Sequence, residues 1–108
     1  MQLVVVGVNH RLSPVEVRER LAFSNGTLER ALSQAPQYAA ETVILSTCNR
    51  TEVYGLVGHP TSGSHSLKRF LTDCHGLSVS EIEPYLYTYL QQEAVAHLFA
   101  VASGIDSM

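Results

Sequence analysis

Apolar positions along the chain follow two periods, and the switches between them outline a fold. Leu3 to Val8 is an almost unbroken run rich in valine, the pattern of a strand covered on both faces, with Gly7 marking a close backbone approach or a local bend. Thr42 to Cys48 and Glu52 to Val57 are β-branched and aromatic runs separated by three residues, the length of a tight hairpin loop, so Cys48 is expected to close its strand. Tyr85 to Leu90 predicts a fourth strand.

Between these runs the period lengthens to that of a helix. Ser13-Pro14-Val15-Glu16 sets out a capping hydroxyl, a proline suited to the first helical position and a capping-box carboxylate, which predicts a short helix to about Leu21. A second helix restarts at Ser24 or Asn25; Leu28, Ala31, Leu32 and Ala35 have the spacing of one buried face, and Pro36 ends it. The segment His59 to His65 is turn-rich, and after it Leu67, Phe70, Leu71 and Cys74 mark the buried stripe of a third helix. Ser80 to Pro84 reads as a bend or single helical turn, and Ala94 to Ala102 as a last helix with Gly104 as its stop. This order predicts an α+β, ferredoxin-like split βαβ (βαββαβ) sandwich with a mostly antiparallel four-stranded sheet and an additional C-terminal helix.

Composition narrows the class. At 108 residues the chain suits one domain, residues 1–108, able to bury a core without disulfide or metal staples. No apolar run approaches the roughly eighteen residues that span a bilayer, so a membrane protein is not expected. The start, MQLVVVGVNH, lacks a basic n-region and a small-residue cleavage site, and a cytoplasmic location is expected. The end, Gly104-Ile105-Asp106-Ser107-Met108, lacks polar fading, which suggests a piece of a longer polypeptide. A net charge of −3 argues against wholesale neutralisation of phosphates; an RNA partner would have to be gripped mainly by something else.

Candidate chemistry centres on Leu45 to Tyr54, LSTCNRTEVY, where Cys48 sits as the chain turns from apolar to polar. Two readings stay open: a core thiol at a strand end, or a nucleophile whose thiolate is favoured by the neighbouring Arg50. His97 lies one residue off the apolar stripe of Ala94, Leu98 and Val101. It is either a satisfied structural histidine or, if the helix brings it to Cys48, a group for proton transfer. Cys48 and Cys74 are too far apart for a paired metal-ligand motif, and His10, His59, His65 and His75 share no spacing that gathers three ligands, so no metal site is expected. No G-x-G-x-x-G follows a strand, and hydride chemistry would need another domain.

The STCNRTE stretch, the start Gly7-Val8-Asn9-His10 with Ser13-Pro14-Val15 and Arg18-Glu19, and the end His97-Leu98-Phe99 with Val101 to Gly104 and Asp106-Ser107 resemble the N-terminal catalytic domain of glutamyl-tRNA reductase. Ile105 stands where leucine is more usual. The resemblance implies NADPH-dependent reduction of glutamyl-tRNA to glutamate-1-semialdehyde, the first committed step of tetrapyrrole synthesis from glutamate. It implies Cys48 as the nucleophile that forms a thioester, Arg50 as the holder of the γ-carboxylate, Thr47, Asn49 and Ser107 as polar contacts to the glutamyl group, and His97 as an assisting group. It also implies that NADPH is bound by a domain absent from this chain, that a further domain forms a homodimer, and that glutamate-1-semialdehyde aminotransferase is a possible partner. The competing reading is a small-molecule-binding or regulatory module in which Cys48 is structural.

Overall fold

The computed structural model describes residues 1–104. Strands β1 (Gln2–Asn9), β2 (Glu41–Ser46), β3 (Arg50–Val57) and β4 (Tyr87–Leu90) form one sheet in the order β2-β3-β1-β4. Every neighbouring pair is antiparallel. Because β3 runs against both β1 and β2, those two are parallel with β3 inserted between them, which is the split βαβ arrangement the sequence predicts. The helices are α1 (Val15–Leu21), α2 (Asn25–Gln34), α3 (Pro60–Asp73), the single turn α4 (Val79–Ile82) and α5 (Gln92–Ala102).

Strand alternation divides the interior in two. Val4, Val6 and Val8 of β1 join Val53 and Val57 of β3 beneath Val17, Leu21, Leu67, Phe70 and Leu71 of the helices, forming the main core. On the opposite face Val5 and Tyr54 meet Ala94 of α5, with Leu3 and Tyr89 against them. Strand β1 is therefore covered on both sides, as its unbroken valine run requires.

Local chemistry departs from the sequence reading in four places. β2 ends at Ser46, so Cys48 does not close a strand but stands in the hairpin turn, and β3 begins two residues early, at Arg50. Ser13 does not cap α1: its hydroxyl donates to the Asn9 carbonyl (2.8 Å), while Asn9 Oδ1 accepts from the N–H groups of Arg11 and Leu12 (both 3.1 Å) and builds the turn out of β1. The turn-rich segment is helical from Pro60. A Cβ on Gly63 would stand 2.3 Å from Val57 Cγ2, so glycine there lets the helix backbone rest directly on β3. Finally, Leu32, expected on the buried face of α2, is 43% exposed, whereas Ala31 and Ala35 are buried. The Ser24 start is as expected, with Ser24 and Thr27 exchanging a capping box.

Candidate active site

The same alternation puts Arg50, Glu52 and Tyr54 on the α5 side of β3. Their register partners on β1 are Asn9, Gly7 and Val5, and β4 sets Tyr87 against Gly7 and Tyr89 against Val5. Gly7 thus lies between Glu52 and Tyr87. A Cβ at this position would fall 2.6 Å from the Thr51 carbonyl oxygen and 2.8 Å from Glu52 Cγ. The missing side chain leaves room for Glu52 to lean across β1 towards β4 and α5.

Glu52 is fully buried and collects four donors. Its Oε2 accepts from Arg50 Nη1 at 3.1 Å, from His97 Nε2 at 2.5 Å and from the Tyr87 hydroxyl, while Oε1 accepts from the Tyr54 hydroxyl at 2.7 Å. Burial alone pushes the Glu52 carboxyl up, but the hydrogen bonds from Tyr87, His97 and Tyr54 outweigh it and hold the group below the usual carboxylate range. The Tyr87 phenol is shifted upward by its own burial and by the adjacent Glu52 charge, so it keeps its proton and serves as a donor. His97 is fixed in plane by stacking on Tyr89, with ring centroids 4.6 Å apart, and by Tyr87 at 5.4 Å.

Cys48 is exposed at the tip of the β2–β3 hairpin, and its thiol is free. The Thr47 N–H donates to the Arg50 carbonyl (2.8 Å), and the Asn49 N–H donates to Thr47 Oγ1 (3.2 Å), so the turn carrying the thiol is itself hydrogen-bonded. Thr47 is exposed, Asn49 half-buried and Arg50 only 2% exposed. Ser107 lies outside the described residues. The other thiol, Cys74, is at the end of α3, half-buried against the main core; burial and the Asp73 charge push its pKa up.

His97 engages Glu52 rather than Cys48 among its described contacts. The helix face also turns out differently from the sequence expectation: Ala94 and His97 point inward, while Leu98 is 40% exposed. Leu98 and Val101 instead border an open apolar groove of about 450 Å³ shared with Val43, Leu45 and Tyr54. Sequence reasoning missed Glu52, Tyr54 and Tyr87. The signal was present for two of them, because Arg50, Glu52 and Tyr54 recur at every second residue of a strand and so share a face. Nothing in the chain order points to Tyr87.

Among the described residues, no group of three or more His, Cys, Asp or Glu side chains is placed to hold a metal ion, and no helix is long and apolar enough to cross a membrane. A dinucleotide does not fit this sheet. The β1–α1 connection is a turn built by Asn9 without a glycine-rich phosphate cradle, and an antiparallel sheet offers no crevice of the kind found between diverging parallel strands.

Comparison with known proteins places this arrangement. Residues 6–108 match the family described as glutamyl-tRNA(Glu) reductase, N-terminal domain. The chain is 51% identical over 108 residues to a glutamyl-tRNA reductase of Herpetosiphon aurantiacus, covering all of this chain and 26% of that protein. It is 53% identical over 110 residues to one of Carboxydothermus hydrogenoformans, covering all of this chain and 24% of that protein. A solved glutamyl-tRNA reductase from Methanopyrus kandleri superposes with a TM-score of 0.69 at 31% identity, over 98% of this chain and 23% of that one. The chain therefore spans about a quarter of the length of the curated relatives it matches.

Proposed function

Because the chain belongs to the glutamyl-tRNA reductase family, as its N-terminal domain, we propose that it carries the acyl-transfer half of the conversion of glutamyl-tRNA to glutamate-1-semialdehyde, the entry to tetrapyrrole synthesis. In this reading the Cys48 thiolate attacks the carbonyl carbon of the aminoacyl ester. A C–S bond forms, the C–O bond to the 3′-terminal ribose breaks, and the ribose oxygen leaves with a proton as free tRNA. The resulting thioester stays electrophilic enough to accept hydride, which a carboxylate would not, and covalent capture divides a hard step into two easier ones.

Arg50 is proposed to hold the substrate γ-carboxylate, a task suited to a planar fork of donors on a permanent cation. Thr47 and Asn49, on either side of Cys48, and Ser107 are proposed to contact the glutamyl group, with His97 exchanging the proton. Reduction takes its hydride from NADPH, and since the described residues do not fit a dinucleotide, no reduction step is assigned to them. NADPH binding and homodimer formation fall to later domains of the full-length protein. A cytoplasmic location belongs to the same reading, as does delivery of the reactive aldehyde to glutamate-1-semialdehyde aminotransferase.

The observation that carries the proposal is an exposed thiol on a hydrogen-bonded turn, two residues from a buried arginine held by a carboxylate. A binding module with a structural Cys48 would have the thiol in the core, where Cys74 sits partly covered. The test is Cys48→Ser in the full-length protein. Loss of glutamate-1-semialdehyde formation with tRNA binding intact is expected; retained turnover would remove the assignment.

A further inference from the structure

We infer that Glu52 is a positioning residue that fixes the tautomer of His97 and thereby makes Nδ1 the ring atom that exchanges protons in acyl transfer; this rests on the reading above. A carboxylate has only lone pairs to offer, so the 2.5 Å contact between Glu52 Oε2 and His97 Nε2 requires the hydrogen on Nε2. A bare Nε2 would set two lone pairs against each other inside the protein. The remaining lone pair is then on Nδ1.

Nδ1 is available. The ring's one hydrogen bond among the described residues is through Nε2, so the Nδ1 lone pair is left unused there. A half-turn of the ring about Cβ–Cγ would keep its plane against Tyr89 but put a carbon where Nε2 now stands, so it would cost the bond to Glu52. Among the described residues, the titratable groups facing the ring are Glu52 from β3 and Tyr87 and Tyr89 from β4; Arg50 and Tyr54 reach the same carboxylate.

One further detail gives the arrangement its use. His97 and Arg50 share Oε2, so the atom that orients the proton-transfer ring also orients the guanidinium proposed to anchor the substrate. Recognition and proton transfer are set in register by a single oxygen. The room for it comes from Gly7, where any side chain would strike Glu52.

The test is long-range 1H–15N NMR on protein labelled with 15N-histidine. The wild type is expected to show a single neutral tautomer for His97, with a slowly exchanging proton on Nε2. A proton on Nδ1 would overturn the inference, and that measurement needs no variant to fold. Glu52→Leu removes the buried carboxylate that Arg50 Nη1 donates to and is strongly destabilising, so the double replacement Arg50→Leu with Glu52→Leu is measured beside it for this readout alone. The protected Nε2 proton is expected to vanish in both; its persistence without Glu52 would contradict the inference. In the full-length reductase, Glu52→Gln is expected to lower kcat about 10²-fold. Glu52→Asp, which keeps an acceptor-only carboxylate, is expected to recover part of that loss; a purely structural role would give the two variants equal rates. An active Cys48→Ser enzyme would sink the Cys48 acyl-transfer reading and leave the tautomer result untouched, whereas an inactive one with the proton on Nδ1 would sink only this inference.

Discussion

Both faces of the sheet bury residues completely but differ in what holds them. On the helix side, Val53 and Phe70 are 0% exposed and are held by apolar volume. On the α5 side, Glu52 is 0% and Arg50 2% exposed, and each is held by named hydrogen bonds. Successive residues of β3 feed opposite faces, so one strand supplies both the core and the site. Removing an apolar group leaves a void, whose cost scales with its size. Removing one partner of the polar cluster leaves a buried charge uncompensated, and the damage falls on geometry as well as on stability.

The contrast can be tested face by face. Phe70→Ala should produce the largest change in stability, about 3–5 kcal/mol in urea unfolding, with Cys48 alkylation unaltered in the folded fraction. Altered thiol reactivity would mean that the faces are not separable. Arg50→Lys should raise KM for glutamyl-tRNA by roughly 10–100-fold, the equivalent of about one charge-assisted hydrogen bond of 1.5–3 kcal/mol, since a point charge beside Glu52 cannot reproduce a fork; unchanged kinetics would reject the γ-carboxylate role. Gly7→Ala should cost about 1–3 kcal/mol through overpacking and should reduce kcat by displacing Glu52, a loss that an equal overpacking on the helix face would not cause.

The smallest effect is in acid. Glu52 has a folded pKa depressed below its unfolded value, so its contribution is fully present above the ordinary glutamate range and is lost as pH falls through the lower folded value. Acid unfolding followed by circular dichroism should therefore show a component below about pH 4.5 that Glu52→Gln removes. An identical acid profile in the variant would show that Glu52 is not held ionised.

Much of this was legible in the chain. The valine run of β1, the paired runs of β2 and β3 and the 3.6-residue spacing in α3 give the topology, because hydrophobic period and burial are the same fact seen in one and three dimensions. Cys48 and Arg50 stood out by their place at the edge of an apolar run. Close approach was harder to read: Gly63 in a turn-like segment is a helix packed on a strand, and Gly7 is the clearance for a carboxylate. Glu52 itself looked like a strand residue. Its partners Tyr87 and His97 are 35 and 45 residues away in the chain, and only the fold brings them together.

The most direct measurement is to incubate the full-length protein with glutamyl-tRNA labelled in the glutamyl group, without NADPH, quench in acid, and map the label by peptide mass spectrometry. The account predicts a thioester-linked glutamyl group on the peptide containing Cys48, released by hydroxylamine and absent from the Cys48→Ser protein. Label on Cys74, or no covalent label while the complete enzyme still turns over, would contradict it.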